Sequence, residues 1–200
     1  MMQGEKPRTV EFWRGRLPHW EIADGLYFIT IHLAGAIPRD AAKRIREMSR
    51  RAKSFPCAQR SSLERKVFEE MERWLDRNEE VRYLGRPEVA AAVTEAIQYR
   101  VNKGIWTVFE HVIMPSHIHL LLEFGLFGLR ESMVDFKRRT GYLAADILKL
   151  RHRSFWQKEW FDHWVRTHEE AASITDYIRQ NPVKAGLVRS YADWPYGSWK

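Results

Sequence analysis

The chain has 200 residues, which is enough for one well-filled core and too short to make several large domains a natural reading. Its composition, 44% hydrophobic and 13% aromatic, is typical of a folded protein and excludes a disordered tail. The formal net charge of +7 favours an acidic polymer or a membrane surface as partner over a neutral metabolite.

The single cysteine, Cys57, excludes an intrachain disulfide and a cysteine-rich zinc module. The first 20 residues contain no apolar core of a signal peptide, and no stretch approaches the roughly 20 apolar residues of a membrane span. We therefore expect a cytoplasmic protein that does not associate with a membrane. We expect one domain over 1–200, with an irregular lead-in at 1–24, a core at 25–150 and a C-terminal extension at 151–200.

The first half of the chain predicts one strand followed by three helices. "GLYFITIHLAG" is rich in β-branched and aromatic residues and is bounded by glycines, which indicates a strand. Pro38 suits the start of a helix through "RDAAKRIREMSRRAK", and a second charged helix follows through "SSLERKVFEEMERWLDRN". Pro87 begins a third helix, with valines and an isoleucine at helical spacing.

The second half predicts a β-hairpin and two helices. "GIWTVFEHVIM" and "HIHLLLEF" are strand-like and are joined by the short Pro115-Ser116 link. "LRESMVDFKRRTGYLAADILKL" has apolar residues that recur every three or four positions, which predicts a helix lying flat on a core. Thr167 and Glu170 have the spacing of a capping box for the last helix, which we expect to stop at Asn181-Pro182.

The order of these elements defines the expected fold class. Strand, helices, strand, strand and helix form a split βαββα arrangement, so we predict an α+β protein with a ferredoxin-like antiparallel sheet. The helices should pack on one face of the sheet, and a helical C-terminal extension should follow. The other face should be free for a ligand.

Two histidines inside an apolar strand are the strongest sign of a functional site. His117 and His119 are two positions apart in "SHIHLLLEF", so both side chains point to the same face of a strand. Alternate positions place their Cα atoms about 6–7 Å apart, which is close enough for both rings to bind one metal ion. For an isolated pair of this kind, two hydrogen-bonded polar residues would be the more common arrangement.

A set of motifs in one order carries a resemblance to a known family. "MPSHIHLLLEF" resembles the histidine strand of HUH endonucleases, specifically the REP-associated tyrosine transposase branch of the insertion-sequence transposase-like superfamily. "RGRLPHWEIADGLYFITIHLAG", "FKRRTGYLA", "FWQKEWFDHWVR" and "YIRQNPVKAGLV" are similar to further motifs of that branch, and the set spans almost the whole chain.

The resemblance implies a metal-dependent endonuclease or transposase that cleaves single-stranded DNA near hairpins such as REP elements. It implies that His117 and His119 hold Mg²⁺ or Mn²⁺ and that a helical tyrosine attacks the phosphodiester, leaving a 5′-phosphotyrosine and a free 3′-OH. Tyr142 lies on the helix after the histidine strand, where the resemblance places the nucleophile, and Asp146 one turn later is the implied third ligand.

The nucleophile has alternatives in the sequence. An ordinary packing role for Tyr142 remains open, because Arg139 occupies the position before Thr140 at which related sequences carry the tyrosine. Tyr177 is the competing candidate, and we assign it to the apolar stripe of the last helix beside Ile174 and Ile178.

Basic and aromatic residues in and after the tyrosine helix are candidates for DNA binding. Lysine and arginine contact phosphates without reading sequence, and aromatic rings can stack on unpaired bases. The predicted DNA-binding residues are Arg130, Lys137, Arg138, Arg139, Arg151, Arg153, Lys158, Trp156 and Trp160. A core position is the alternative for both tryptophans.

Two further functions remain open for this sequence. The first is a catalytically degenerate protein of the same fold that only binds single-stranded or hairpin DNA. The second is a ferredoxin-like RNA-binding protein in which the histidines have no catalytic role. We expect a monomer, with a dimer as the alternative.

Overall fold

A computed structural model describes residues 8–14, 18–55, 57–150 and 154–200. The strands are β1 (Thr9–Arg14), β2 (Pro18–Ile22), β3 (Leu26–His32), β4 (Trp106–Ile113), β5 (His117–Phe124) and β6 (Phe161–Val165). The helices are α1 (Arg39–Lys53), α2 (Cys57–Arg77), α3 (Pro87–Asn102), α4 (Leu129–Ile147) and α5 (His168–Lys184). None of the helices in the described ranges is long and apolar enough to cross a membrane.

Four strands form the central sheet in the order β4-β5-β3-β6, and each pair of neighbours is antiparallel. The link at Pro115-Ser116 joins β4 to β5 as a hairpin, as the sequence predicts. This strand order, with helices in both crossover connections, is that of a ferredoxin-like sheet. The predicted α+β class and antiparallel sheet are confirmed.

One face of the sheet carries the main core. Ile118, Leu120 and Leu122 of β5 are fully buried on this face, together with Ile29 and Ile31 of β3. Helices α3 and α4 cover them through inward apolar residues spaced by three or four positions. The prediction that helices pack on one face is confirmed for α3 and α4.

The opposite face, which carries the two histidines, is also covered. Phe68 of α2 and Ile178 of α5 pack there against Phe28, Leu121 and Val112. The expectation of an open face was wrong because these strand residues are themselves apolar and need cover from water. A ligand site on this face must therefore lie between the sheet and the two helices.

The lead-in, expected to be irregular, forms a β1–β2 hairpin. The inward side chain of His19 binds the carboxylate of Asp162 in β6. The carboxylate of Glu21 accepts hydrogen bonds from the backbone N–H groups of Leu129 and Arg130 at the start of α4, where an acceptor is favoured. These contacts fix the hairpin to the sheet and to α4.

Helix α5 begins as predicted and ends later than predicted. The backbone N–H of Glu170 donates to Thr167 Oγ1 at 3.1 Å, which confirms the cap. Pro182 lies inside the helix, which continues to Lys184, and the N–H of Ala185 closes the last turn on the carbonyl of Asn181 at 2.9 Å. Gly186 then follows with φ of 69°, which glycine adopts at low cost.

Candidate metal centre and nucleophile

The histidine pair of β5 lies at the centre of the covered face. His117 and His119 are both 0% exposed, and their ring centroids are 4.7 Å apart. In the sheet register, His119 stands opposite Thr30 of β3 and Val112 of β4. The strand alternation therefore brings the two imidazoles together as the sequence predicts.

Helix α2 contributes a carboxylate to the pair. Glu72 Oε2 lies 3.0 Å from His119 Nε2 and 3.8 Å from His117 Nε2. One ligand atom from each of the three residues falls within 4.8 Å of the others, the spacing that a shared metal ion requires. Glu72 is not among the site residues predicted from the sequence.

Helix α5 contributes a phenol and an amide, one turn apart. The hydroxyl of Tyr177 donates a hydrogen bond to Glu72 Oε2, and its ring centroid lies 5.4 Å from that of His119. The Nδ2 atom of Asn181 lies 3.3 Å from His119 Nε2. Residues four positions apart share a helical face, so the "YIRQN" stretch delivers both side chains to the histidines.

The hydrogen bonds of Ser116 determine which nitrogen of His117 carries the proton. Ser116 Oγ donates to the carbonyl of Leu75 at 2.8 Å, and this bond uses its single proton. Ser116 can then only accept from His117 Nδ1, which lies 3.0 Å away. The lone pair of His117 is consequently on Nε2, the atom that faces Glu72.

Thr30 supports His119 in a less restrictive way. Its Oγ1 lies 2.8 Å from His119 Nδ1 and has no second bond among the described residues. A threonine hydroxyl both donates and accepts, so it can serve either tautomer of the ring. His119 can therefore present its Nε2 lone pair to a ligand without losing this contact.

The protonation states suit metal binding. Burial lowers the pKa of His117 to about 3, so its imidazole is neutral at pH 7. Burial would raise the pKa of Glu72, but the neighbouring His119 and His117 and the hydrogen bonds from His119 and Tyr177 hold it below its usual value. A neutral imidazole and an ionised carboxylate are the forms that bind metals.

Unpaired acceptors provide an independent test of whether a cation fits. Among the described residues, His117 Nε2, Glu72 Oε1 and Asn181 Oδ1 are buried and have no hydrogen-bond partner. Buried polar atoms without partners are costly, and these three need a positive charge or a donor. Together with His119 Nε2, they provide two imidazole nitrogens with carboxylate and amide oxygens, a donor set that fits a divalent metal ion.

The structure does not bring Tyr142 or Asp146 to the histidines. Both belong to α4, which packs on the opposite face of the sheet, behind Ile118 and Leu120. Tyr142 is 77% exposed, and Asp146 is exposed and pairs with Lys149. The order of elements along the chain suggested this helix, but the order does not determine which face a helix covers.

The aromatic candidates for stacking are buried. Trp156 is 4% exposed and donates from Nε1 to Thr140 Oγ1 at 2.9 Å, and Trp160 is 7% exposed in the same core. Neither ring presents a face to a base in this arrangement. Both tryptophans occupy core positions, which is the alternative to stacking that the sequence allows.

The basic candidates that the structure describes lie along α4 and in the segment after it. Arg130 pairs with Glu11 at 3.2 Å, Lys137 donates to the backbone carbonyl of Lys158 at 2.6 Å, and Arg139 lies 5.7 Å from the Tyr99 ring. Arg138 is exposed and pairs with Asp135 at 2.9 Å. Arg151 and Arg153 lie outside the described residues.

The sequence of the chain matches the family described as Transposase IS200 like. The model of that family matches residues 78–181, just over half of the chain. The chain belongs to this transposase family, which confirms the resemblance drawn from the motifs. The matched segment contains both histidines and Tyr177, whereas Glu72 precedes it.

Two curated proteins are similar to part of the chain. A protein described as a candidate REP-associated tyrosine transposase of Haemophilus influenzae is 32% identical over 102 residues, covering 44% of this chain and 55% of that protein. The REP-associated tyrosine transposase of Escherichia coli (strain K12) is 28% identical over 89 residues, covering 44% and 51%. The chain thus spans about half the length of the curated relatives it matches.

A solved structure supports the fold over the full length. The structure of a REP-associated tyrosine transposase bound to a REP hairpin superposes with a TM-score of 0.55 and 16% identity, and covers 99% of this chain and 83% of that one. At this identity the likeness concerns the fold alone.

Proposed function

We propose that this protein is a metal-dependent single-stranded DNA endonuclease and transposase that acts next to DNA hairpins. The observation that carries the proposal is the convergence of His117, His119 and Glu72 with the hydroxyl of Tyr177 on one covered face. Family membership supports the class of reaction, and the REP hairpin in the similar solved structure motivates the hairpin substrate.

His117, His119 and Glu72 would hold the divalent cation, with Asn181 Oδ1 as a further oxygen ligand. Of the two ions implied by the family resemblance, Mn²⁺ suits two imidazoles better than Mg²⁺, which prefers oxygen ligands and retains its waters. When bound, the cation would polarise the scissile phosphate and stabilise negative charge that develops on its oxygens.

Tyr177 is the residue we propose as the nucleophile, in place of Tyr142. Its oxygen would attack the phosphorus, forming the 5′-phosphotyrosine bond while the bond to the 3′ oxygen breaks. That oxygen would take up a proton from solvent and leave as a 3′-OH. Burial and the neighbouring Glu72 raise the pKa of the phenol, so its proton needs an acceptor. Glu72 Oε2 already accepts the hydrogen bond from this hydroxyl and is the atom placed to take the proton.

Comparing matched tyrosine variants tests the proposal. Wild type, Tyr177→Phe and Tyr142→Phe would be incubated with Mn²⁺ and a single-stranded oligonucleotide that flanks a hairpin, and products would be separated on a denaturing gel. We expect a covalent adduct and a cleaved strand from wild type and Tyr142→Phe, and neither from Tyr177→Phe. If only Tyr142→Phe lost the adduct, Tyr142 of α4 would be the nucleophile instead of Tyr177.

A result without any adduct would also be informative. A wild-type protein that keeps its circular dichroism spectrum and its DNA binding but forms no adduct would support the degenerate binding protein instead. The RNA-binding alternative has no support in the family match.

A further inference from the structure

A cleft lies on the face of the molecule away from the histidines. It is formed by the C-terminal half of α4 and the segment 154–158, and its volume is about 400 Å³. Its lining includes Lys137, Arg138, Tyr142, Trp156 and Lys158. A cleft of this size is in the range that accommodates one small organic group, such as a nucleotide.

The charge of the cleft is positive. Its lining contains three cationic side chains, those of Lys137, Arg138 and Lys158. No carboxylate is among the described residues that line it. Asp135 pairs with Arg138 from outside the lining, but both side chains are exposed, and an exposed pair of this kind exchanges readily for another anion. Burial lowers the pKa of Lys137 to about 8, and a bound anion would oppose that shift.

Tyr142 gives the cleft an aromatic surface. Its side chain is 77% exposed, and its ring has no aromatic partner among the described residues. An exposed ring beside three cations is the arrangement that binds a base by stacking and its phosphate by charge.

We propose that this cleft binds an unpaired nucleotide of the DNA strand, with the base on Tyr142 and the phosphate between Arg138 and Lys158. The inference rests on the proposed function, because it takes single-stranded DNA as the ligand. It assigns the cleft to a nucleotide other than the one that is cleaved, since α4 and the histidines lie on opposite faces of the sheet.

The test measures DNA affinity and cleavage separately. A fluorescein-labelled single-stranded DNA of mixed sequence would be titrated with wild type, Tyr142→Ala and the double variant Arg138→Gln/Lys158→Gln, following fluorescence anisotropy at several salt concentrations. Leu143→Ala is the matched apolar control, because Leu143 is the next residue of α4, is 46% exposed and does not line the cleft. Arg65→Gln on α2, where the side chain is 75% exposed, is the matched charge control.

We expect Tyr142→Ala to weaken DNA binding roughly tenfold, which is typical of the loss of one stacked base. The dependence of the affinity on salt concentration should stay the same, because no charged contact is removed. We expect the double variant to weaken binding and to reduce the salt slope by about one for each phosphate contact that is lost. Both controls should bind as wild type does.

Equal affinity of Tyr142→Ala and Leu143→Ala, with unchanged circular dichroism, would overturn the inference while leaving cleavage by Tyr177 intact. Absence of wild-type binding would overturn it too, and so would equal or tighter binding of an RNA of the same sequence. If Tyr142→Ala loses affinity in a protein that forms no adduct, the cleft inference stands and the nuclease proposal fails.

Discussion

The hydroxyl of Tyr177 donates a hydrogen bond to Glu72, and this contact joins two helices whose residues are 105 positions apart in the chain. Both residues also contact the ring of His119. The contact is therefore the point at which α2, α5 and the histidine strand meet, and it determines which residues can share a cation.

Glu72→Gln should weaken the metal site without changing the shape of the side chain. The amide carries no charge, so we expect Mn²⁺ affinity to fall at least about tenfold, as is typical when the ligand environment of a metal loses one group. A ligand at about 100 times its dissociation constant stabilises a protein by about 2.7 kcal/mol, so Mn²⁺ should raise the Tm of wild type clearly more than that of the variant.

Asp146→Asn is the matched control for this measurement. It removes the charge of the carboxylate that the sequence suggested as a ligand, and Asp146 is exposed on α4. We expect the same Mn²⁺-dependent rise in Tm as in wild type. A loss in Asp146→Asn and none in Glu72→Gln would place the ion on the other face of the sheet.

Ser116→Ala should impair the metal site through His117. In wild type, the Ser116 hydroxyl accepts the proton of His117 Nδ1 and so keeps it on that nitrogen. Without the hydroxyl, the proton can move to Nε2, the nitrogen whose lone pair a metal ion needs. We expect Mn²⁺ affinity to fall about 10- to 100-fold, and ¹⁵N NMR of His117 should show a changed tautomer. Thr30→Val should have the smaller effect, because the Thr30 hydroxyl can serve either tautomer of His119 and so does not select one. Unchanged nitrogen shifts in Ser116→Ala would contradict this role.

Stability should decrease in acid because the buried His117 and the half-buried His111 are neutral in the folded protein. Burial lowers the pKa of His111 to about 4 and that of His117 to about 3. Their folded pKa values lie below the unfolded value of about 6.5, so the unfolded chain binds more protons at low pH. Their contribution is complete above about pH 6.5 and is lost as the pH falls towards about 4.

Urea unfolding across that interval measures the effect. Each histidine should contribute a slope of up to about 1.4 kcal/mol per pH unit, and His111→Gln should remove one such contribution. Asp76 opposes this trend, because burial raises its pKa to about 6, so its ionisation destabilises the fold as the pH rises. A pH-independent free energy of unfolding in wild type would contradict the prediction.

The attachment of the N-terminal hairpin should depend on His19 and not on its neighbour Trp20. His19 is 1% exposed, and its partner Asp162 has a side chain that is 5% exposed. His19→Leu would leave that buried carboxylate without its histidine partner, which typically costs roughly 3–5 kcal/mol. Trp20 is 53% exposed, so Trp20→Ala should cost less than about 1 kcal/mol. Chemical denaturation followed by circular dichroism compares the two, and equal effects would contradict the role of the His19 contact.

The sequence predicted elements where the local pattern alone determines them. β5 and α4 have long apolar repeats, and both form where expected. The five-residue strands β2 and β6 contain charged and aromatic residues, so their pattern in the sequence is weak. In addition, β6 pairs with β3, which lies far away in the chain. β6 lies in the block that the sequence suggested as a stacking surface.

The same limit applies to the residues of the candidate site, because a local sequence pattern does not determine tertiary contacts. The spacing of four residues that pairs Tyr142 with Asp146 also pairs Tyr177 with Asn181, so spacing could not choose between α4 and α5. The choice depends on which face of the sheet each helix covers, and that follows from tertiary packing. The sequence does contain a pattern that could indicate Glu72. This acidic residue lies one turn after Phe68, on the side of α2 that faces the sheet.

The burial of the metal centre implies an order of events. His117 and His119 have no exposed surface, and Glu72 and Asn181 expose 6% and 2%. A DNA backbone cannot reach these side chains while α2 and α5 both lie against the sheet. Under the proposed function, the helices would have to part before a strand could enter, and turnover would be limited by this opening whenever it is slower than phosphoryl transfer. The hydrogen bond from Tyr177 to Glu72, which joins α5 to α2, would then have to break in each round of DNA binding.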